Sequence, residues 1–218
     1  MSDSADRTPS PARLTPEEAV ALWNGRYREP DYIFGTEPNA YLRGHTGLWQ
    51  PGQRVLCVAD GEGRNSVWLA RHGLAVDAFD ISDVGVTKAK RLAQHAGVSV
   101  NFQVCDCEQY EWPAGAYDGV VAIFVQFADP AMRARLFANM VNCLKPGGIL
   151  LLQGYTPQQL HYKTGGPSAV ENLYTEDMLR AAFSQMEIIE LRAYEDDLSE
   201  GNHHRGRSAL IGLVACKR

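Results

Sequence analysis

The chain has 218 residues, 45% hydrophobic and 22% charged, which suits one domain with a substantial core. Its net charge of −5 excludes the basic face of a non-specific nucleic-acid binder, and no apolar run approaches the ~18 residues of a membrane span. Five cysteines in irregular spacing fit reduced thiols in a cytoplasmic protein, and Cys105-Asp106-Cys107 lacks the second ligand pair of a zinc site. No charged-then-apolar amino terminus suggests a signal peptide.

Residues 1–13 are rich in Ser, Pro and Ala without periodicity, and read as a disordered lead. Thr15-Pro16-Glu17-Glu18 is a helix start, with a capping box between Thr15 and Glu18 and proline at the first helical position. That helix carries Val20, Leu22, Trp23 and Tyr27 and stops before Pro30. An aromatic-rich segment, Asp31 to Asn39, and a short helix, Ala40 to Trp49, complete an N-terminal helical lid segment over residues 14–52.

Val55 to Ala59 is a short apolar run, as in a buried strand. The chain then turns through Gly61-Glu62-Gly63 into a helical pattern, a layout that lets backbone N–H groups approach a ligand. Ala75 to Phe79 is a second strand and ends in Asp80, placed to accept hydrogen bonds from a ribose diol. Ser82 caps a helix that runs to Gly97, and Val98 to Val104 leads to Asp106. Tyr117 to Phe124 is a fourth strand, Asp129-Pro130 starts a helix, and Ile149 to Gln153 is a fifth strand after Lys145-Pro146-Gly147-Gly148. A long loop, Tyr155 to Tyr174, and a helix starting at Thr175 follow. Ile188 to Tyr194 and Ala209 to Ala215 make an antiparallel pair joined by a polar connection, Glu195 to Arg207. Alternating strands and helices predict an α/β fold with a doubly wound, mostly parallel seven-stranded sheet, its last strand antiparallel, over residues 53–218.

The glycine turn fits two cofactors, a nicotinamide dinucleotide or S-adenosylmethionine (SAM). The dinucleotide fingerprint wants a third glycine or alanine, where this chain has Ser66. Asp60-Gly61-Glu62-Gly63, Asp80, Asp106, Tyr117-Asp118 and Leu144-Lys145-Pro146-Gly147-Gly148 together resemble class I SAM-dependent methyltransferases. Gly61 to Ser66, Trp23 with Tyr27, Phe34 to Asn39, and Glu200-Gly201 with His204 and Gly206 look like the tellurite-resistance branch, and more distantly like thiopurine methyltransferases. The superfamily usually has an acid inside the first strand and glycine two places on; this chain has Cys57 and Ala59, so Asp60 and Glu62 would supply the acid from displaced positions. An Asn/Asp-Pro-Pro-Tyr signature is absent, against methylation of DNA or protein amides.

The resemblance implies a small soft or anionic acceptor, such as a tellurite- or selenite-like oxyanion or a thiol, with SAM as cofactor and S-adenosylhomocysteine (SAH) as product. In that reading Gly61, Gly63 and Asn65 hold the methionine side, Asp80 the ribose, Ile81 and Asp106 the adenine, and Ala122 to Phe124 the floor below the sulfonium. Arg64 pairs with a ligand carboxylate or with Glu62. Trp23, Tyr27 and Phe34 close over the sulfonium, although Trp23 and Tyr27 also fit one buried helix stripe. His204 and Arg205 are acceptor-side candidates in the polar connection, as base or anion binder or as exposed loop residues; Tyr27 joins them at the reacting centre. His161, Tyr162 and Lys163 fall in the long loop, as a lid or as solvated residues. A nicotinamide-dependent oxidoreductase and a non-catalytic SAM-binding module are the rival readings, and monomer and homodimer both stay open.

Overall fold

The computed structural model describes residues 14–162, 164–201 and 204–218, with His204 described in its backbone alone. The expectations for residues 1–13 and Lys163 lie outside the described residues. Helix α1 spans Pro16–Tyr27 and starts as expected: the Thr15 hydroxyl accepts from the Glu18 N–H, and the Glu18 carboxylate accepts from the Thr15 N–H at 2.8 Å. Helix α2, Ala40–Gly44, is shorter than its pattern predicted and passes into a 3-10 turn, Thr46–Leu48.

Strands β1 (Arg54–Val58), β2 (Ala75–Asp80), β3 (Asn101–Val104), β4 (Tyr117–Ile123) and β5 (Leu144–Tyr155) pair in parallel. Helices α3 (Arg64–Arg71), α4 (Asp83–Ala96) and α5 (Pro130–Cys143) connect them. The short α6 (Gln159–Tyr162) and α7 (Glu176–Ala182) precede β6 (Met186–Glu200) and β7 (His204–Lys217). Sheet order is β3-β2-β1-β4-β5-β7-β6, with β7 antiparallel to both neighbours.

The apolar strands are continuous because both sheet faces are covered. Leu56, Val58, Val120 and Ala122 pack with Met132, Leu136 and Met140 of α5 on one side. Val55, Cys57 and Val121 pack with Leu42 of α2 and Leu69 of α3 on the other. Cys57, where the superfamily usually has an acid, is therefore a core side chain at 1% exposure. Among the described residues no helix is long and apolar enough to cross a membrane.

The largest difference from expectation lies at the end of the chain. The polar connection is not a loop. Glu195 to Glu200 pairs with His204 to Ala209 in continuous antiparallel register, so β6 and β7 run on as a two-stranded ribbon. Charged residues take many positions of this ribbon, with Leu198, Glu200 and Ser208 buried among exposed residues, and composition alone reads such a stretch as a loop.

Candidate functional site

Strand β1 pairs β2 on one side and β4 on the other, and the chain winds away from it in both directions. That reversal opens a crevice at the carboxyl ends of β1 and β4, where open α/β sheets bind ligands. Both strands end in a non-glycine residue with left-handed backbone, Ala59 (φ 49°) and Phe124 (φ 56°). Such residues are uncommon and concentrate where a strand end is bent to serve a site. Around the crevice Trp23, Phe34, Ala59, Asp60, Ile81, Asp106, Ile123 and Phe124 stay partly exposed, while the strands beneath them are buried. Ala122 is fully buried in the core below, so the accessible floor narrows to Ile123 and Phe124.

Two carboxyls dominate the electrostatics. Asp80 ends β2 and bridges two elements: it accepts from the Gly61 N–H at 2.8 Å and from the Ser82 N–H at 2.9 Å. Burial nevertheless pushes its pKa up to about 6, and the Glu62 charge adds to the rise. Asp60 accepts from the Ser66 hydroxyl, yet burial, with the Asp80 charge behind it, pushes its pKa up to about 7. Each carboxylate oxygen has more than one lone pair, so Asp80 retains acceptor capacity toward a diol. Two desolvated carboxyls side by side lower their energy when a cation arrives. SAM, which carries a sulfonium, an ammonium and a ribose diol, fits this donor set. A dinucleotide's pyrophosphate would meet the carboxyls of Asp60 and Asp80, and the turn's one cation, Arg64, is paired with Glu200 at 2.7 Å.

Gly61 and Gly63 both take left-handed backbone, at φ 60° and 89°. Their lack of a side chain also serves the protein. A Cβ on Gly63 would stand 2.7 Å from that of Ala89 in α4, and one on Gly61 would stand 2.6 Å from the Tyr27 hydroxyl. Tyr27 is therefore placed over the glycine turn and against Gly85, 4% exposed, with Trp23 stacked on it at 5.5 Å between ring centroids. The buried stripe and the cover over the turn are one structure. Helix α1 is seated by Asn24, which accepts from the Ser82 hydroxyl and donates to Asp83 at 2.7 Å.

Three expected ligands also have partners within the protein. The Asn65 carboxamide accepts from the Asn39 N–H at 2.9 Å, so its side chain holds the segment that leads into α2. Arg64 pairs with Glu200, not with Glu62, and also donates to the Phe34 carbonyl at 3.2 Å. Asp106 accepts from the Glu108 N–H at 2.8 Å, which makes it a turn cap at the β3 end of the crevice. His204 and Arg205 stand on β7, in register with Glu200 and Ser199, and Arg205 is exposed. His161 and Tyr162 belong to α6, and His161 is exposed.

Sequence reasoning missed a set of buried polar residues that assemble the site. Asn39 donates through Nδ2 to Gln153 at 2.7 Å and to Glu200 at 2.9 Å, and its Oδ1 caps α2 by accepting from the Leu42 N–H. Lys88, 8% exposed, forms an ion pair with Glu62 and donates to the carbonyls of Glu29 and Asp31. In the sequence Lys88 sits with Thr87, Lys90 and Arg91 like any solvated residue, and for Asn39 the phrase Pro38-Asn39 before a helix was the one available sign.

Residues 55–148 match a family model described as a methyltransferase domain. This stretch is a methyltransferase domain. It contains the glycine turn, Asp80, Asp106 and both strands flanking the crevice. The ubiquinone biosynthesis O-methyltransferase of Paramagnetospirillum magneticum (strain ATCC 700264 / AMB-1) is 32% identical over 145 residues, 61% of this chain and 57% of its own length. The chain thus spans little more than half of that relative. Among solved structures, one described under the conversion of a disulfide bond into a thioacetal group during echinomycin biosynthesis has a TM-score of 0.74 at 16% identity, covering 91% of this chain and 92% of that one. TehB from Haemophilus influenzae has a TM-score of 0.66 at 16% identity, covering 92% and 68%. At these identities the likeness is one of fold, and at 91–92% of this chain it extends beyond residues 55–148.

Proposed function

We propose that this chain is a SAM-dependent methyltransferase acting on a small acceptor. The observation that carries the reading is the pair of desolvated carboxyls, Asp60 and Asp80, at the crevice of a methyltransferase domain. In this reading Asp80 binds the ribose diol and Asp60 faces the cationic methionine end. Ile81 and Asp106 border the adenine, and Phe124 forms the floor. Bound SAM supplies a methyl group already activated by positive charge. What remains for the protein is to place a nucleophile in line and exclude water, which can contribute on the order of 7–11 kcal/mol. Tyr27, Trp23 and Phe34 provide that cover, and their ring faces suit a sulfonium.

The acceptor class we propose is a small soft nucleophile, a thiol or a selenite- or tellurite-like oxyanion, with His204 and Arg205 on the acceptor side. The O-methyltransferase relative makes a phenolic hydroxyl the next class to test. The setting we propose is cytoplasmic, with a small-molecule acceptor and without nucleic-acid or membrane partners. Titration calorimetry with SAM, SAH and NADH tests the cofactor: binding of the first two, undisturbed by excess NADH, is expected. Methyl transfer from labelled SAM to a thiol, selenite and a catechol then tests the acceptor. Binding of SAM without transfer to any of the three would favour a non-catalytic SAM-binding module.

A further inference from the structure

Three polar side chains of the glycine turn reach one and the same segment. Glu62 accepts from the Ile33 N–H at 2.9 Å, Arg64 donates to the Phe34 carbonyl at 3.2 Å, and Asn65 accepts from the Asn39 N–H at 2.9 Å. The end of the β6–β7 ribbon grips that segment from the other side. Glu200 accepts from Asn39 Nδ2 at 2.9 Å and from the Ala40 N–H at 3.1 Å, and pairs with Arg64 at 2.7 Å. Gly201 lies so close that a Cβ there would stand 2.3 Å from the Ile33 carbonyl oxygen and 2.6 Å from the Gly35 nitrogen. Arg64 and Glu200 are 7% and 8% exposed, so the pair is shut away from water.

With this arrangement in place the glycine turn is closed. Tyr27, at the end of α1 and leading into the same segment, leaves no space at Gly61 even for a methyl group. A ligand that contacts the backbone of Gly61 has to displace it. We infer that residues 31–39 and the ribbon end form a cover over the crevice, latched by the Arg64–Glu200 ion pair, and that ligand exchange requires this pair to part. The inference rests on the cofactor site proposed above. A buried ion pair suits a latch because its closed state trades hydration of two charges for their mutual attraction, so closed and hydrated-open states differ little in free energy. It also gives Arg64, adjacent to the glycine turn, a positioning role in place of ligand contact.

The test is stopped-flow exchange of SAH on the full chain, with two variants that break the pair and Arg64→Gln as a control for ligand contact. Glu200→Gln removes one charge of the pair. Arg64→Met combined with Glu200→Leu removes both, and so leaves neither charge buried alone. Both association and dissociation should become at least about tenfold faster in each variant. Unchanged rates in both would overturn the latch. So would weaker SAH binding in Arg64→Gln with unchanged kinetics in Glu200→Gln, because Arg64 would then be a ligand. If the parent chain binds no SAH, the cofactor reading fails by itself, and amide hydrogen exchange of residues 31–39 without ligand decides the latch. About tenfold faster exchange there in the paired variant, with β1 and β4 amides unchanged, supports it; exchange equal to the parent's overturns it.

Discussion

Asp60 is held in a position that a carboxylate occupies reluctantly. Its pKa, pushed up to about 7 by burial, lies well above the value of an unfolded aspartate, so the folded chain binds a proton that the unfolded chain has released. Its contribution to stability is full below about pH 4 and is lost as pH rises toward 7. Asp60→Asn removes the charge and keeps the acceptor for Ser66. It should raise the unfolding free energy at pH 8 by roughly 1–2 kcal/mol and change it little at pH 4.5, as urea denaturation at the two pH values would show. The same substitution should weaken SAM binding at pH 8, because the cation loses its partner. A variant less stable than the parent at pH 8 would mean that Asp60 is held by interactions other than the Ser66 hydroxyl. The places of Asp60 and Asp80 at the ends of β1 and β2 were legible, since each follows an apolar strand. Their partners were not: the Ser66 contact depends on how sharply the turn folds back, and a left-handed Ala59 gives no sign of that in sequence.

At the scale of elements, local signals carried the helices and strands, and tertiary contacts decided the rest. The Thr15 capping box, the Ser82 and Asp129 caps and the Gly97 terminator all act within a few residues, and each stands where its pattern placed it. The ribbon was missed because most of its residues are exposed and only Leu198 among residues 195–200 is apolar, which leaves no apolar stripe to read. The seat of α1 and the segment after it was missed because its partners stand far apart in the sequence. Lys88 binds the end of α1 through backbone carbonyls and Glu62 through its charge, and nothing in the spacing of residues 27–33, 62 and 88 connects them. Lys88→Met would leave the Glu62 carboxylate buried without its cation, which costs about 3–5 kcal/mol. In Lys88→Met combined with Glu62→Gln, the loss should be well below the sum of the two single losses. A double-mutant cycle by urea denaturation measures this, and strictly additive losses would show that the two residues stabilise the fold independently.

For the whole molecule, the two-sided core fixes the sheet, the sheet order fixes the crevice, and the connections that leave it determine the crevice's charge. The carboxyl ends of β1 and β2 present Asp60 and Asp80, while the basic residues nearest the turn, Arg64 and Lys88, are neutralised by Glu200 and Glu62. The crevice is therefore acidic and the scaffold around it is internally paired, a charge pattern that suits a cation better than a pyrophosphate. Mass action converts that selectivity into a stability measurement. A ligand at one hundred times its Kd that binds only the folded chain adds about 2.7 kcal/mol. For a chain of this size that corresponds to a rise in Tm of roughly 5–10 °C. SAM should produce this rise, NADH at the same concentration should produce none, and Asp80→Ala should cut the response to SAM while leaving the unliganded Tm within a few degrees of the parent. Because Asp80 also accepts from Gly61 and Ser82, an unliganded Tm that collapses would identify it as part of the frame of the turn, and the comparison would then move to Asp60→Asn, which leaves that frame intact. Equal protection by NADH and SAM would reverse the assignment of the crevice to a cation.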